Sequence, residues 1–417
     1  MGCIHKSFLD NGIKVVTEEM EGVRSVSIGV WIKRGSAHEP PQKRGIAHFL
    51  EHLLFKGTKK RTALDIARDI ESVGGALNAF TSREYTCFYA KVLAKDIELA
   101  IDILSDILIN STFKARELEK ERFVVLQEIS MVEDTPDDLI HDLLMERLWK
   151  GHPAGWAVLG TKQSVMEIKR KDVLEHFRNH YTPENIIITV AGDTKHKNMI
   201  KLFEKSFGRL KRKGVRKRAS RPKASSGVKV VRRPLEQVHL CMGVPAPALT
   251  HPHRYRVHLL NTVLGGGMSS RLFQEVREKR GLAYAIYSYL NLMRNAGSLV
   301  VYAGTSKEEL KDVVKVTLKE YERLKGRINT EELRVAREQL KGGILLGLES
   351  TENRMTKLAR DEIYFNRTIP MEEIIAAIDA VGVKDVRETA EEVLNPKALT
   401  IVAIGDLEEE ELLNCLN

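Results

Sequence analysis

Short β-branched runs alternate with long amphipathic segments along the 417 residues of this chain. Runs such as 26–32 and 298–303 predict strands, whereas the apolar spacing in 94–110 and 306–325 predicts long helices. No stretch approaches the roughly 20 consecutive apolar residues of a membrane-spanning helix. We therefore expect an α+β protein without a membrane span, in which helices cover each sheet.

Two segments recur along the chain at nearly the same offset. The run 183–193 begins with proline, continues with β-branched residues and ends in Gly-Asp, and 396–406 repeats this pattern. The helix-like segment 117–128 is echoed by 332–343 in the same way. Two echoes at offsets of 213 and 215 residues indicate an internal duplication. We expect two homologous α/β-sandwich domains, each made of a sheet covered by helices.

The net charge of +9 is concentrated in one segment. Residues 209–233 contain twelve Lys or Arg and no acidic residue, and without them acidic residues slightly outnumber basic ones. A basic run with Gly, Ser and Pro is typical of a solvated linker, here between domains 1–208 and 234–417. The alternative is a nucleic-acid or anionic-membrane arm, but aromatic residues for base stacking are missing. We expect no nucleic-acid partner.

The four cysteines are scattered along the chain and form no C-x-x-C pair: Cys3, Cys87, Cys241 and Cys415. Few, scattered cysteines are typical of a reducing compartment. The first residues become polar too soon for the apolar region of a signal peptide. We expect a cytoplasmic protein.

The segment 45–54, GIAHFLEHLL, is largely apolar and has no proline or internal glycine, which favours a helix. On a helix, His48, Glu51 and His52 project from one face. Two imidazoles one turn apart can bind one zinc ion. A solvated helix can carry this short motif by chance. However, an apolar helix is buried, and buried His and Glu side chains need partners, so we favour a zinc site.

Two histidines leave a zinc ion short of one protein ligand. The helix-like stretch 119–131 offers Glu121 and Glu128, which lie two turns apart on one face. One of them can complete the site while the other orients a histidine. Glu51 can then act as general base toward a water whose pKa zinc lowers to about 7. The other histidines, His141 among them, have no ligand spacing, and we expect ordinary surface or core positions for them.

These motifs occur together in a known order. HFLEHLLFKGT is followed by GGALNAFTSREYT and ERFVVLQEI, and the whole chain resembles the pitrilysin and mitochondrial processing peptidase family of inverzincins. The resemblance implies His48, His52 and Glu128 as ligands of one zinc ion per chain. It also implies Glu51 as the base and Glu121 as a supporting carboxylate.

The same resemblance implies that Asn78, Ala79 and Phe80 belong to a strand that pairs with substrate. An exposed strand edge can recognise any extended peptide through main-chain hydrogen bonds. From the residues alone we would expect only an ordinary edge strand after a Gly-Gly turn.

The second half does not repeat the metal residues, since Ala336 and Gly343 stand opposite Glu121 and Glu128. It contains a glycine-rich loop and an Arg-Tyr pair, which the resemblance implies hold the substrate: Gly265, Gly266, Gly267, Arg277 and Tyr284. The arginine can bind a carbonyl or carboxylate, and the tyrosine can stabilise a developing oxyanion. The residues alone indicate a surface charge and a flexible turn.

The resemblance therefore implies a zinc metalloendopeptidase that hydrolyses peptides or short unfolded polypeptides. Family members enclose substrate with four such domains and this chain supplies two, so we expect a homodimer. The alternative is a catalytically silent scaffold or core subunit of the same fold. Such subunits characteristically lose metal ligands, whereas this chain keeps the full set.

Overall fold

The computed structural model of the protein describes residues 2–211 and 220–416. The expected linker 209–233 therefore lies partly outside the described residues. Within these two ranges, no helix is long and apolar enough to cross a membrane.

Eleven strands and fifteen α-helices form within the described parts of the chain. The strands are β1 (Cys3–Phe8), β2 (Lys14–Glu19), β3 (Ser25–Ile32), β4 (Ala76–Thr81), β5 (Thr86–Leu93), β6 (Ile186–Gly192), β7 (Gly227–Arg232), β8 (Val238–Ala246), β9 (Ala283–Leu292), β10 (Gly297–Thr305) and β11 (Thr400–Gly405). The helices are α1 (Ile46–Leu54), α2 (Ala63–Glu71), α3 (Ile97–Asn110), α4 (Ala115–Glu133), α5 (Pro136–Leu148), α6 (Lys162–Glu167), α7 (Arg170–His180), α8 (His196–Phe207), α9 (Arg254–Gly265), α10 (Leu310–Gly326), α11 (Thr330–Gly347), α12 (Thr351–Phe365), α13 (Met371–Asp379), α14 (Val383–Val393) and α15 (Glu409–Asn414).

The first compact unit contains a six-stranded sheet in the order β1-β2-β6-β3-β5-β4. Only β2 and β6 pair in parallel; the other neighbours are antiparallel. Strand β6 is buried along its whole length, because its β-branched residues contact a core on both faces. A one-turn 3₁₀ helix, Pro183–Asn185, precedes it and fixes where the strand begins.

The second compact unit contains a five-stranded sheet in the order β7-β11-β8-β10-β9. This is the order of the first sheet without β1, with the parallel pair β7–β11 in the position of β2–β6. A 3₁₀ turn, Pro396–Ala398, precedes β11 just as one precedes β6. The two sheets and their helices confirm the predicted α+β fold and its duplication.

Each unit incorporates one helix from the other half of the chain. Helix α12 packs on β2, β3 and β6, and helix α5 packs on β8 and β11. A Cβ atom on Gly29 of β3 would lie 2.9 Å from the Met355 sulfur, and one on Gly243 of β8 would lie 3.0 Å from Leu144. These glycines allow the exchanged helices to approach the sheets. The units therefore differ from contiguous domains 1–208 and 234–417.

Candidate metal centre

Helix α1 is held in the core of the first unit by its apolar side and by its N-terminus. Its apolar side chains are buried: Ile46, Phe49, Leu50, Leu53 and Leu54. Gly45 precedes the helix with φ of 85°, and a Cβ there would lie 2.4 Å from the Leu159 carbonyl oxygen, so glycine is required. The buried Glu39 carboxylate accepts hydrogen bonds from the N–H groups of Gly45 (2.7 Å) and Ala47 (2.8 Å). The direction of α1 is thereby fixed.

Helix α4 is fixed beside α1 by a buried arginine. The Arg122 guanidinium lies 5.6 Å from the Phe49 ring centre of α1 and donates a hydrogen bond to the Ile168 carbonyl (2.9 Å). It also pairs with Glu119 one turn earlier (3.1 Å). These contacts set the rotation of α4, on which Glu121 and Glu128 lie.

His48 and His52 of α1 meet Glu128 of α4. The Nε2 atoms of both histidines lie 3.6 Å from the same Glu128 oxygen, Oε2. One ligand atom from each of the three residues lies within 4.8 Å of the others. Two ligands of a tetrahedral zinc ion at ~2.0–2.1 Å are roughly 3.3 Å apart. The three side chains therefore fit one zinc ion with only small adjustments.

Two atoms of this group are buried and have no hydrogen-bond partner among the described residues: Glu128 Oε2 and His48 Nδ1. A buried carboxylate oxygen without a donor is costly in a folded protein. A cation between the three side chains would remove this cost at Glu128. Burial, with a smaller effect from His52, lowers the pKa of His48 to about 3, so its imidazole is neutral, as a metal ligand must be.

His52 is oriented by an acidic residue on the side away from Glu128. Its Nδ1 lies 3.3 Å from Glu121 Oε2, and the other Glu121 oxygen accepts a 2.9 Å ion pair from Lys56. Burial opposes protonation of His52, but the contact with Glu121 and the nearby carboxylates raise its pKa overall. In neutral His52 the carboxylate keeps the proton on Nδ1, which leaves the Nε2 lone pair directed at Glu128.

Glu51 is the third polar residue on the metal-facing side of α1; it is buried and is held by β4. Its Oε2 accepts a 2.5 Å hydrogen bond from the Thr81 hydroxyl. Burial raises the pKa of Glu51 and Glu128 adds to this, while Thr81 and His52 oppose it. A carboxylate with a pKa closer to neutral is a better general base at physiological pH.

Asn78, Ala79 and Phe80 lie on β4, the edge strand of the first sheet, which pairs with β5. The Ala79 N–H donates to the Asn78 side-chain oxygen at 2.8 Å. The Phe80 ring contacts Trp31 edge-on, at 5.8 Å between ring centres. Because side chains alternate along a strand, Phe80 faces away from Thr81 and Glu51. The groups of β4 that face Glu51 are therefore the backbone and the Thr81 side chain.

The predicted residues of the second half lie together in the second unit. The glycine loop 265–267, Arg277 and Tyr284 line a cavity of about 420 Å³. Tyr284 is 80% exposed. Ala336 and Gly343 lie on α11, as the duplication predicts, and carry no metal-binding group.

Sequence reasoning missed three residues that build these two sites: Glu39, Lys56 and Tyr287. It placed Thr81 in the strand that resembles the substrate-pairing strand but missed its hydrogen bond to Glu51. Lys56 could have been found, because it lies one turn after His52. The direction of the Thr81 side chain could have been found from the alternation of β4. Nothing local indicates that Glu39 accepts from the start of α1 or that Tyr287 lines the cavity.

Sequence comparison assigns the family. A family model described as Insulinase (Peptidase family M16) matches residues 14–162, and one described as Peptidase M16 inactive domain matches 167–340. The uncharacterized zinc protease YmxG of Bacillus subtilis is 40% identical over 91% of this chain and 93% of that protein. An uncharacterized zinc protease of Mycobacterium leprae is 41% identical over 94% of this chain and 89% of its own length. The chain belongs to peptidase family M16, which confirms the resemblance.

Solved structures share the fold. A protease from Helicobacter pylori superposes with a TM-score of 0.89 at 24% identity, covering 97% of this chain and all of its own. A chain of complex III2 from Candida albicans superposes with a TM-score of 0.88 at 22% identity, covering 99% of this chain and 100% of its own. Since a protease and a chain of complex III2 both have this architecture, the fold alone does not decide activity.

Proposed function

We propose that the protein is a zinc-dependent endopeptidase that hydrolyses peptides or short unfolded polypeptides. The observation that carries this proposal is the convergence of His48, His52 and Glu128 beside Glu51. The zinc protease names of the relatives agree with it. A silent scaffold has no use for a buried Glu128 oxygen that faces two imidazoles and has no hydrogen-bond partner among the described residues, so the catalytic function is favoured.

When bound, zinc would polarise the scissile carbonyl and make water more acidic. His48, His52 and Glu128 would hold it, and Glu121 would keep His52 in the correct tautomer. Glu51 takes the proton of the attacking water on the oxygen that Thr81 leaves free and delivers it to the departing amine. Thr81 prevents the carboxylate from rotating away from the substrate.

The substrate would lie extended along the outer edge of β4 and pair with its backbone. Main-chain pairing tolerates many sequences, which suits an enzyme that accepts unfolded polypeptides. The bond between Ala79 N–H and the Asn78 side chain must open for the substrate carbonyl to take that donor. Asn78 therefore protects this edge when substrate is absent.

We further propose a cytoplasmic homodimer in which Arg277 and Tyr284 bind substrate, with Tyr284 assisting the oxyanion. Light scattering at low concentration tests the assembly. A monomer that retains full activity would contradict the dimer and leave the metal chemistry intact.

The test of the proposed function is metal content and peptide cleavage in the wild type and in Glu51→Gln. We expect about one zinc per chain in both proteins, cleavage of a quenched fluorescent peptide library by the wild type, and loss of at least a hundredfold in rate in the variant. Glu98→Gln, on the surface of α3, is the matched control and should cleave normally. Zinc binding without cleavage by the wild type would favour the scaffold function.

A further inference from the structure

Helix α8 of the first unit presents a row of lysines to solvent. Its exposed lysines follow one another at intervals of four residues, which places them on one side of the helix. Exposed Arg209 follows the helix at the same interval, and exposed Lys211 comes just after it. These five residues are called the basic stripe: Lys197, Lys201, Lys205, Arg209 and Lys211. The opposite side of α8 is buried through three side chains, which fix the direction of the stripe: Met199, Phe203 and Phe207.

The charge of the basic stripe is not balanced by carboxylates within the described parts of the chain. None of its five residues forms an ion pair with a described residue. The acidic residue of α8, Glu204, accepts a 2.7 Å hydrogen bond from the Asp10 backbone N–H instead. The neighbouring Glu19 pairs with Lys195 at 2.8 Å. Like charges four residues apart destabilise a helix, and an anionic partner on the stripe would remove this repulsion.

The duplication shows that the fold does not require a basic helix at this position. Strand β11 is followed by Asp406 and then by α15, just as β6 is followed by Asp193 and then by α8. The sequence of α15, EEELLN, has three glutamates in its first turn and no Lys or Arg. The helix at this position can therefore carry charge of either sign. The basic stripe is a property of this surface and not a requirement of the architecture.

The geometry and composition of the stripe favour an anionic phospholipid surface as its partner. Lys197 and Lys205 are about 12 Å apart along the helix axis, and a planar surface can contact the lysines between them at once. Four of the five residues are lysines, whose ammonium groups act as hydrated point charges and need no exact geometry. Nucleic-acid recognition favours arginine and aromatic side chains, and the stripe has one arginine and no aromatic residue.

We propose that the basic stripe of α8 is a peripheral binding surface for anionic phospholipid membranes. It binds through charge alone, because the apolar side of α8 is buried in its own core and cannot insert into a bilayer. Binding is therefore reversible and weakens as salt screens the charges. The stripe lies outside the metal centre, so this inference stands apart from the proposed peptidase function.

Co-sedimentation of the full-length protein with vesicles tests the proposal. Vesicles of phosphatidylcholine alone are compared with vesicles that also contain phosphatidylglycerol, at low and at high salt. We expect the protein to bind the anionic vesicles at low salt, to leave the neutral vesicles unbound, and to dissociate at high salt. Each lysine near an anionic surface contributes roughly fivefold to partitioning, so the triple variant Lys197→Gln/Lys201→Gln/Lys205→Gln should bind about a hundredfold more weakly. The triple Lys→Arg variant at the same positions keeps the charge and should bind like the wild type.

A matched control separates the stripe from the net charge of the protein. Helix α10 of the second unit exposes three lysines at the same spacing, but exposed Asp312 lies among them: Lys311, Lys315 and Lys319. Replacing these three by Gln removes the same charge and should leave vesicle binding unchanged. Equal losses in the two triple Lys→Gln variants, or full binding by the α8 variant, would overturn the proposal.

Fluorescence anisotropy with a labelled DNA duplex at the same salt concentrations tests the other polyanion. We expect weaker binding to the duplex than to the anionic vesicles. Binding to the duplex without binding to the anionic vesicles would assign the stripe to nucleic acid and overturn the membrane proposal. Vesicle binding is read without zinc or cleavage, so failure of the peptidase function is a separate outcome.

Discussion

Replacing Glu121 by Gln should weaken zinc binding although Glu121 is not a ligand. The two carboxylate oxygens of Glu121 accept from two donors at once: His52 Nδ1 at 3.3 Å and Lys56 Nζ at 2.9 Å. An amide has only one acceptor oxygen, so Gln can serve His52 or Lys56 but not both. The Lys56 ammonium is the stronger donor, and we expect it to take the oxygen and turn the amide NH₂ toward His52.

The magnitude follows from this geometry. Loss of the residue that orients a ligating histidine typically costs 10–100-fold in metal affinity. The contact to His52 is at the long end of hydrogen-bond distances, so we expect a loss in the lower part of this range. Zinc affinity should fall about 10–30-fold, or roughly 1.4–2 kcal/mol. Removing the competing lysine in Glu121→Gln/Lys56→Met should recover part of this loss, because the amide oxygen can then face His52.

Competition with a fluorescent zinc chelator measures the affinity. Glu117→Gln is the control, since Glu117 lies one turn earlier on α4 and pairs with exposed Lys120 at 3.2 Å. Unchanged zinc affinity in Glu121→Gln would refute the reasoning. Equal loss in the double variant would refute the competition between His52 and Lys56.

Three further predictions concern other parts of the first unit. Thr81→Val should retain zinc and lower kcat about tenfold because Glu51 loses its orienting bond, while Thr81→Ser should restore it. Glu362→Gln breaks the ion pairs of a buried carboxylate with Lys6 and Lys14, both at 2.6 Å. We expect the free energy of unfolding, measured in urea, to fall by about 2 kcal/mol. This is less than the cost of breaking a fully buried pair, because the Lys6 side chain is 33% exposed. Burial keeps the pKa of His176 well below 6.5, so stability should fall by about 2 kcal/mol from pH 7.5 to 5.0, and His176→Gln should lack this loss.

The sign of the last effect follows from proton binding. The unfolded chain takes up a proton at His176 below about pH 6.5 and the folded chain does not, so acid favours unfolding. An identical pH dependence in the wild type and His176→Gln would contradict it.

For Glu362, the control is Glu331→Gln, which removes an exposed pair with Arg334 and should change stability much less, as is typical of surface pairs. For Thr81, a Val variant that also loses zinc would show that the residue supports the metal centre itself.

The periodicity of the sequence predicts the elements and the duplication because both are local patterns. Helix α1, helix α4 and the repeated strands β6 and β11 form where the apolar and β-branched residues indicate. Even the arginine of each repeat acts alike, since Arg122 and Arg337 both donate to a carbonyl of a later loop. Such contacts recur because the two halves fold in the same way.

Sequence patterns could not predict the exchange of α5 and α12, since an amphipathic helix does not specify which sheet it covers. The only local trace is the pair Gly29 and Gly243, one in each central strand, where a helix approaches closely. For the same reason, the sequence could not predict the hydrogen-bond partners of His141, because they lie on β9, more than a hundred residues later. The sequence does predict the metal-binding pair of α1, because His48 and His52 lie one helical turn apart and their spacing is a local pattern.

Anomalous X-ray diffraction at the zinc absorption edge, on crystals grown from zinc-loaded protein, tests the central claim most directly. We predict one strong peak per chain, at about 2.0–2.2 Å from His48 Nε2, His52 Nε2 and a Glu128 oxygen, with Glu51 outside bonding distance. A peak at another group of side chains, or none in zinc-loaded crystals, would contradict the assignment of the metal centre and the peptidase function built on it.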